Sequence, residues 1–539
     1  ITDSGNIAVT GTTNLSTTAA AVATLDNDNN FGGAVTAGGS ISDLHIRDTG
    51  ALRFASVDIT GNLTAIAAGT IDQTGAILVD GTAQFTAGAA NDITLTTATN
   101  DFGGAVSVVS AGNVSVHDAN ALTLGNITAA GTISAETITS ASAPLTIAGT
   151  VETTSATAGI TLNTPGGAGD NIVLSSGGFT LGGGTGIVDI QDNAELNITG
   201  TFTLSGGSIE FDGHITRTAG TLAIGSQGMS VAGDITGSAG AITFTAGGSG
   251  NLTLNGAAAQ SVNLAGSIIQ NLTITKTAAS PNDTATFNNG TAFTWNGSLT
   301  LTDGALAMAN LNQTIGGSVT GSGSLTTPTS STLTVSGPTW NPTGFTRGSG
   351  AVAFNATTSI ASPTTFHNLT TSGTVTLNAN IGVANNLTVT GGTLAVAATR
   401  VLTVSANSAT VGTTVSAGTL SFADTAEYAG GSAIFTVSGT GAASIGTGAF
   451  AAGAMTVSST AAQGFRQDGV NSATGNQTVG SLTVGAGATC VWDNPAAGGD
   501  LTINGNLANG GTLNFNNKQV TIGGTVTGAI TVYDLYIPN

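Results

Sequence analysis

The sequence repeats itself at an interval of about 70 residues, and this repeat constrains the fold more than any other feature. Residues 30–35, NFGGAV, return as DFGGAV at 101–106. Residues 48–52, DTGAL, return as DANAL at 118–122. A repeated sequence favours an architecture of stacked, similar units, in which each unit buries its apolar side chains against its neighbours.

Short segments of alternating apolar and polar residues recur at close intervals within each repeat. Examples are NLTAI at 62–66, AILV at 76–79 and DITL at 92–95, with Gly, Asn or Asp between such segments. Alternation with a period of two is typical of a half-buried β-strand. Gly and Asn tolerate the left-handed backbone of tight corners, so they mark the places where the chain turns.

Three strands of about 5 residues with their corners give a coil of about 20 residues, so one repeat holds three to four coils. The sequence therefore predicts an all-β fold, namely an elongated right-handed parallel β-helix (a β-solenoid). Asn residues at the corners are expected to form side-chain ladders along its axis. The competing architecture is a string of bacterial immunoglobulin-like sandwiches, which need a buried core Trp. The first 255 residues contain no Trp or Tyr, which disfavours that alternative.

The repeat pattern changes along the chain and divides it into three parts. Residues 1–255 form a β-helical region that carries the long repeat described above. Residues 256–529 form a second β-repeat region that contains all three tryptophans. Residues 530–539 form an aromatic segment that is either a cap or a docking strand.

Composition excludes several kinds of partner. The chain has 8 basic and 28 acidic residues and a net charge of −20, so it cannot neutralise a run of phosphates or adhere to an anionic membrane. No segment approaches the ~20 apolar residues of a spanning helix. Cys490 is the only cysteine, which excludes an internal disulfide. The chain begins within a repeat and without a signal peptide, so we expect a processed product or an excerpt of a longer protein.

The sequence predicts no catalytic, cofactor-binding or metal site. The histidines lack metal-ligand spacing; they are His45, His117, His214 and His367. Residues 26–30, DNDNN, suggest calcium, but an EF-hand loop starting there would place Phe31 and Ala37 where Gly and Glu are required. We therefore interpret this segment as a turn and expect no cofactor, with a calcium site as the alternative.

Clustered carboxylates are the minimum that a β-helical carbohydrate-active enzyme requires. The densest acidic group in the sequence is Asp189, Asp192 and Glu195. We interpret it as a solvated edge, and it is the place where the enzymatic alternative would have its catalytic residues.

The last ten residues, ITVYDLYIPN, contain two of the three tyrosines. A β-helix leaves an open strand edge at each end, which is a template for further pairing. This segment is therefore either an ordinary last rung or a docking strand for the next subunit. The candidate assembly residues are Val532, Tyr533, Leu535, Tyr536 and Ile537.

Several of these motifs resemble a known class of bacterial proteins. Residues 101–107 and 118–124, with FTAG at 85–88 before them, resemble filamentous-haemagglutinin-like exoproteins. Residues 270–274, QNLTI, and 391–394, GGTL, are similar to repeats of large bacterial surface proteins of the autotransporter-passenger kind. The resemblance implies a secreted β-helical adhesin at the bacterial cell surface.

We therefore expect a non-enzymatic extracellular protein that serves as an adhesin, surface fibre or spacer. Its partners would be host or neighbouring-cell surfaces, glycans or further copies of itself, without nucleic acid and without membrane insertion. Two alternatives stay open: a self-assembling extracellular filament or surface-layer subunit joined end to end, and a β-helical carbohydrate-active enzyme.

Overall fold

The computed structural model describes residues 1–138, 143–165, 171–277, 283–405, 411–446, 448–467, 477–492, 500–516, 519–531 and 534–536. These residues form strands and turns and include no helix. The contacts divide the chain into two compact units, Ile1–Thr294 and Trp295–Asn539. The division therefore falls inside the second of the regions inferred from the repeats.

The strands of the first unit are short, apart from a few that continue around a corner. They are Ala8–Val9, Thr13–Leu25, Asn30–Phe31, Val35–Asp48, Leu52–Ile59, Leu63–Ala67, Ile71–Gln73, Ile77–Val79, Ala83–Thr86, Ile93–Leu95, Asp101–Phe102, Val106–Ala111, Val114–Asp118, Leu122–Ala129, Ile133–Thr137, Leu145–Ile147, Thr150–Thr153, Ile160–Asn163, Ile172–Leu174, Gly178–Leu181, Ile187–Ile190, Ala194–Ser205, Ser208–Phe211, Ile215–Gly225, Gly228–Val231, Ile235–Gly237, Ala241–Phe244, Asn251–Leu254, Gln260–Val262, Ile268–Ile269, Asn271–Thr275 and Thr284–Phe287, with Thr294–Trp295 at the division.

The second unit continues with strands of the same kind. They are Leu299–Asp303, Ala305–Ala307, Gln313–Ile315, Val319–Thr326, Thr332–Val335, Thr339–Thr346, Ala351–Phe354, Thr358–Ile360, Thr364–Phe366, Asn368–Thr371, Val375–Leu377, Ile381–Val383, Leu387–Val389, Thr393–Val396, Val401–Val404, Gly412–Val415, Thr419–Phe422, Glu427–Ala429, Ile434–Val437, Ala442–Ile445, Phe450–Val457, Phe465–Gln467, Gln477–Val484, Thr489–Trp492, Leu501–Ile503, Leu507–Asn509, Thr512–Asn514, Gln519–Ile522, Val526–Thr527 and Asp534–Tyr536.

Within each unit a strand pairs in parallel with the strand one coil further along the chain. The length of a coil varies: the step from Thr364 to its partner Ile381 is much shorter than the step from Val151 to Phe179. The strands stack in about 23 turns in the two units together. The predicted β-solenoid is confirmed, and immunoglobulin-like sandwiches are excluded because their strands pair antiparallel.

The interior of the first unit contains a continuous column of aliphatic side chains, one from each coil. Successive members pair in register, and each is at most 2 % exposed. Branched and unbranched aliphatic residues pack well in such columns, so each coil stabilises the next. The column is Leu52, Ile71, Ile93, Val114, Ile133, Ile160, Val188, Ile209, Met229, Leu252 and Leu272.

The second unit fills part of its interior with aromatic rings. Trp340 is fully buried, and its ring centroid lies 5.5 Å from Phe345, 5.5 Å from Phe354 and 5.7 Å from Phe366. The first two contacts are edge-to-face, the geometry that aromatic pairs favour. Trp340 therefore packs inside the coils and not in the core of a sandwich.

A polar pair, Thr413 and Tyr428, lies among the apolar side chains inside the second unit. Thr413 takes the inward position between Leu387 and Phe435 in the coil register. Its Oγ1 lies 2.8 Å from the Tyr428 hydroxyl, and both side chains are buried. A buried phenol needs a hydrogen-bond partner, so Tyr428 explains why a threonine stands in this column.

We expect Thr413→Val to lower the free energy of unfolding of the second unit by about 1–3 kcal/mol, because it leaves the buried Tyr428 hydroxyl without a partner. Tyr428→Phe should also destabilise the unit. The double variant should recover much of the loss, since both polar groups are then gone. A double-mutant cycle by denaturant unfolding measures this coupling, and strictly additive effects would contradict the pairing.

Candidate functional site

Asparagine side chains at the corners hold one coil to the next. Asn62 Oδ1 accepts the Thr82 backbone N–H at 2.9 Å, and its Nδ2 donates to Asp43 Oδ1 at 3.2 Å. Asn113 repeats this arrangement with Thr132 and Asp92. The ladders predicted at the corners therefore run mainly from side chain to backbone, because a corner leaves main-chain N–H groups outside the strand ladder.

A buried aspartate closes one corner in each of the first two repeats. Asp48 accepts the backbone N–H of Phe31 at 3.2 Å and that of Gly50 at 2.7 Å. Asp118 accepts the backbone N–H of Phe102 at 2.8 Å and of Asn120 at 2.6 Å. The residues that define the repeat in the sequence thus make the same bonds in both copies.

The Asp118 carboxyl group titrates at an unusual pH. Burial is the main cause and raises its pKa to about 6, and the negative charge of Asp101 acts in the same direction. The hydrogen bonds from the Asn120 and Phe102 backbones oppose the shift. The carboxyl group therefore holds this corner through its two backbone N–H bonds, in a site where burial disfavours its charged form.

A buried arginine, which the sequence analysis did not single out, binds backbone carbonyls in the first unit. Arg217 Nη1 donates to the carbonyls of Gly240 at 2.7 Å and Ala265 at 3.0 Å, and Nη2 donates to that of Gly237 at 2.7 Å. Burial lowers the pKa of Arg217 to about 10. One guanidinium thus joins corners from two further coils.

Lys276, further along the first unit, also donates hydrogen bonds to backbone carbonyls. Its Nζ donates to the carbonyls of Gly256 at 2.8 Å and Ala258 at 2.6 Å and to Gln260 Oε1 at 2.8 Å. Burial lowers the pKa of this ammonium group. Single basic residues carry no periodic signal in the sequence, so neither cation could have been placed from it.

The three acidic residues considered for the enzymatic alternative have different partners in the structure. Asp192 accepts the Thr164 hydroxyl and the Asn193 N–H, both at 2.7 Å. Glu195 accepts the Thr218 hydroxyl at 3.1 Å from the strand Ile215–Gly225, one coil further on. Both carboxylates therefore take part in bonds between coils.

Asp189 instead faces carboxylates that the sequence analysis did not connect with it. It stacks in register with Glu210, and Asp212 lies close enough for its charge to act on Glu210. Burial, followed by the neighbouring charges, raises the pKa of Glu210 and of Asp212. Only the length of this particular coil could have revealed the pairing, and coil length varies too much to be read from sequence.

The segment 26–30 has a structural role at a corner. Buried Asn29 donates to Asp3 Oδ2 and accepts the Ile7 N–H, both at 2.7 Å, while Asp28 forms an ion pair with Arg47 at 3.0 Å. Across the described ranges, no group of three or more His, Cys, Asp or Glu is arranged to hold a metal ion.

The histidines are distributed among different coils. His117 Nε2 lies 3.6 Å from Glu136 Oε2. His214 Nδ1 accepts the Asp234 backbone N–H at 2.9 Å, as Asn does at other corners. His45 and His367 are half-buried.

The candidate assembly strand is described in part. Asp534–Tyr536 pairs in parallel with the preceding coil, with Leu535 opposite Val520, and Leu535 is 37 % exposed. Val532, Tyr533 and Ile537 lie outside the described residues. The strand therefore continues the coil register, and its role in docking stays a prediction.

A regular array of hydroxyl groups lies on one face of the second unit. Outward-facing threonines pair in register from coil to coil, and a Ser or Thr follows two positions later, just past the end of each strand. Rungs lie ~4.8 Å apart, and residues two apart on a strand lie ~6.6 Å apart. We name this the hydroxyl face; its residues are Thr370, Ser372, Thr388, Thr390, Thr414, Ser416, Thr436, Ser438, Thr456 and Ser458.

The hydroxyl face is uncharged and regular. All of its side chains are half-buried or exposed, and the apolar neighbours on the same strands, such as Leu387 and Val389, point inward. It can offer hydrogen bonds in two parallel rows, which suits an extended polymer with repeating polar groups.

Comparison with known proteins gives one partial match. Residues 1–38, 42–109 and 111–176 match a family described as Repeats of unknown function (DUF5649). No curated protein and no solved structure matches the chain significantly. None of the described residues forms a helix long and apolar enough to cross a membrane.

We expect the Asp118 carboxyl to titrate with a midpoint near pH 6. Because this pKa lies above the ~3.9 of an unfolded aspartate, ionisation destabilises the folded corner. The penalty is fully present above pH 6 and disappears as the pH falls below about 4. Carboxyl ¹³C NMR of aspartate-labelled protein, assigned with Asp118→Asn, measures the midpoint; a value near 4 would contradict the burial.

We expect Arg217→Met to destabilise the first unit by about 3 kcal/mol, because it leaves several buried carbonyls without donors. Arg217→Lys should be intermediate, since an ammonium reaches fewer of them. Arg47→Met is the matched control, as it removes only an exposed ion pair. Denaturant unfolding compares the three, and equal effects of Arg217→Met and Arg47→Met would exclude a structural role for the buried guanidinium.

Proposed function

We propose that the chain is a non-enzymatic, extracellular β-solenoid of a bacterial cell surface that adheres to glycan-bearing surfaces of a host or of neighbouring cells. The hydroxyl face is the observation that carries this proposal. It presents two rows of hydroxyl groups at the spacing of the coils, over five consecutive coils of the second unit.

Regular hydroxyl rows suit adhesion better than tight binding of one small molecule. A single hydrogen bond to a hydroxyl contributes little net free energy, because water competes for it. Many weak contacts that engage together give high avidity when the ligand repeats in step with the protein. A linear polysaccharide or a densely glycosylated surface offers such a ligand.

The remaining chemistry of the chain supports an adhesive or structural role. The carboxylates Asp118 and Asp192 and the cations Arg217 and Lys276 bind backbone or neighbouring side chains in the coils. The relationship to filamentous-haemagglutinin-like exoproteins is part of this proposal and rests on the motifs at 85–88, 101–107 and 118–124. Neither a cofactor nor a nucleic acid is required.

We expect beads coated with the full chain to adhere to surfaces of neutral polysaccharide or mucin. The double variant Thr414→Lys/Thr436→Lys should reduce the adhesion at least about tenfold, because two long charged side chains then stand across the hydroxyl face. Counting retained beads under flow measures the effect.

The matched control is Thr376→Lys/Ser421→Lys, which places the same two charges on an outward column of another face. It should adhere like the unchanged protein. Absence of adhesion to every surface, or equal loss in both double variants, would overturn the role of the hydroxyl face.

A further inference from the structure

The strand ladder of the second unit is interrupted at one place. Residues 344–346 pair with Ser324–Thr326 in the preceding coil, and Thr364–Phe366 pairs with Ile381–Val383 in the following one. Within these described ranges no pairing joins 344–346 to Thr364–Phe366. Pro363, which has no N–H to donate, precedes the second of these strands.

Two adjoining grooves lie at this interruption. The first, with a volume of about 600 Å³, is lined by Thr343, Phe345 and Pro363 among others. The second, of about 570 Å³, extends over the following coils. Arg347 and Thr365 line both grooves, so the two adjoin at these residues.

A glycine, Gly382, lines the second groove. Gly382 pairs with Thr365 on one side and Thr403 on the other, in an outward column where neighbouring coils carry threonine. A Cβ placed on Gly382 would lie 2.8 Å from Thr365 Oγ1. The Thr365 side chain therefore occupies the space that a side chain on Gly382 would need, and the groove is lined here by Gly382, Thr403 and Asn380.

Arg347 is exposed and makes no hydrogen bond or ion pair with any described residue. Half-buried Phe345 lies two residues before it, with its ring held 5.5 Å from Trp340 and 5.5 Å from Phe366. The groove thus combines a fixed aromatic ring, an unpaired guanidinium, hydroxyl groups and a carboxamide.

These groups match the parts of an acidic sugar. A guanidinium binds a carboxylate through two parallel hydrogen bonds. Hydroxyl and carboxamide groups bond sugar hydroxyls, and an aromatic ring packs against the apolar face of a pyranose. We propose that the groove around Arg347 binds an oligosaccharide of uronic acid residues, with one carboxylate on the Arg347 guanidinium and one sugar ring against Phe345.

The site deepens the proposed adhesive function and rests on it for its biological role. Binding in solution, however, does not depend on the hydroxyl face. Loss of adhesion in the Thr414→Lys/Thr436→Lys variant and loss of uronate binding in an Arg347 variant are therefore separate results.

Isothermal titration of the full chain with tetragalacturonate tests the site, with maltotetraose as the neutral probe. We expect tetragalacturonate to bind with an affinity that falls as the salt concentration rises. Maltotetraose should bind at least about tenfold more weakly. Arg347→Ala should weaken the binding of tetragalacturonate about tenfold or more. Arg347→Lys should weaken it less, because an ammonium group keeps the positive charge but cannot form two parallel hydrogen bonds with a carboxylate.

Gly382→Thr tests the groove floor beside Thr365, because its added side chain must displace the Thr365 side chain and project into the groove. It should weaken binding of tetragalacturonate about as strongly as Arg347→Ala, and thermal unfolding of the variant checks that it is folded. Arg400→Ala removes another exposed arginine of the second unit and should bind like the unchanged protein. No binding of tetragalacturonate, equal binding in all variants, or tighter binding of a penta-glutamate peptide would each overturn the proposal.

Discussion

The parallel backbone ladder between successive coils is the constraint on which the rest of the structure depends. Each strand bonds to the strand one coil away, so side chains at equivalent positions stack directly above one another. Inward positions then become aliphatic or aromatic columns, and outward positions become rows of Thr and Ser. A column needs no large side chains, which explains how a chain with 4 % aromatic residues fills the interior of each unit.

Corners are the places where this ladder cannot satisfy the main chain. A buried N–H or carbonyl at a corner must find a side chain, and the fold supplies Asn62 or Asp118 for N–H groups and Arg217 or Lys276 for carbonyls. Charged residues such as Asp118, Arg217 and Lys276, which in other proteins often indicate a catalytic or binding site, here hold the coils together. The groove at Arg347 differs, since its charged group stays unpaired and faces solvent.

The sequence was sufficient to predict the β-solenoid because its signals are periodic. The Leu-Thr alternation at 62–66 and the Asn before it correspond to a strand and its corner in the structure. The pairing of particular strands was not predictable from the sequence, because the length of a coil changes from one step to the next. The pairing of Asp189 with Glu210 and the absence of a pairing before Thr364 therefore appear only in three dimensions. Likewise, the hydroxyl face depends on the register of five coils.

Parallel, in-register stacking of the coils is the central claim, and a distance measurement tests it directly. Thr370 and Thr483 occupy the same outward position five coil steps apart, through Thr388, Thr414, Thr436 and Thr456. Cys490 is buried, so it should not compete for labels at these sites. Double electron–electron resonance between spin labels at Thr370 and Thr483 should give a single distance near 24 Å, five steps of ~4.8 Å. A broad distribution, or a distance far from this value, would contradict the stacked coils.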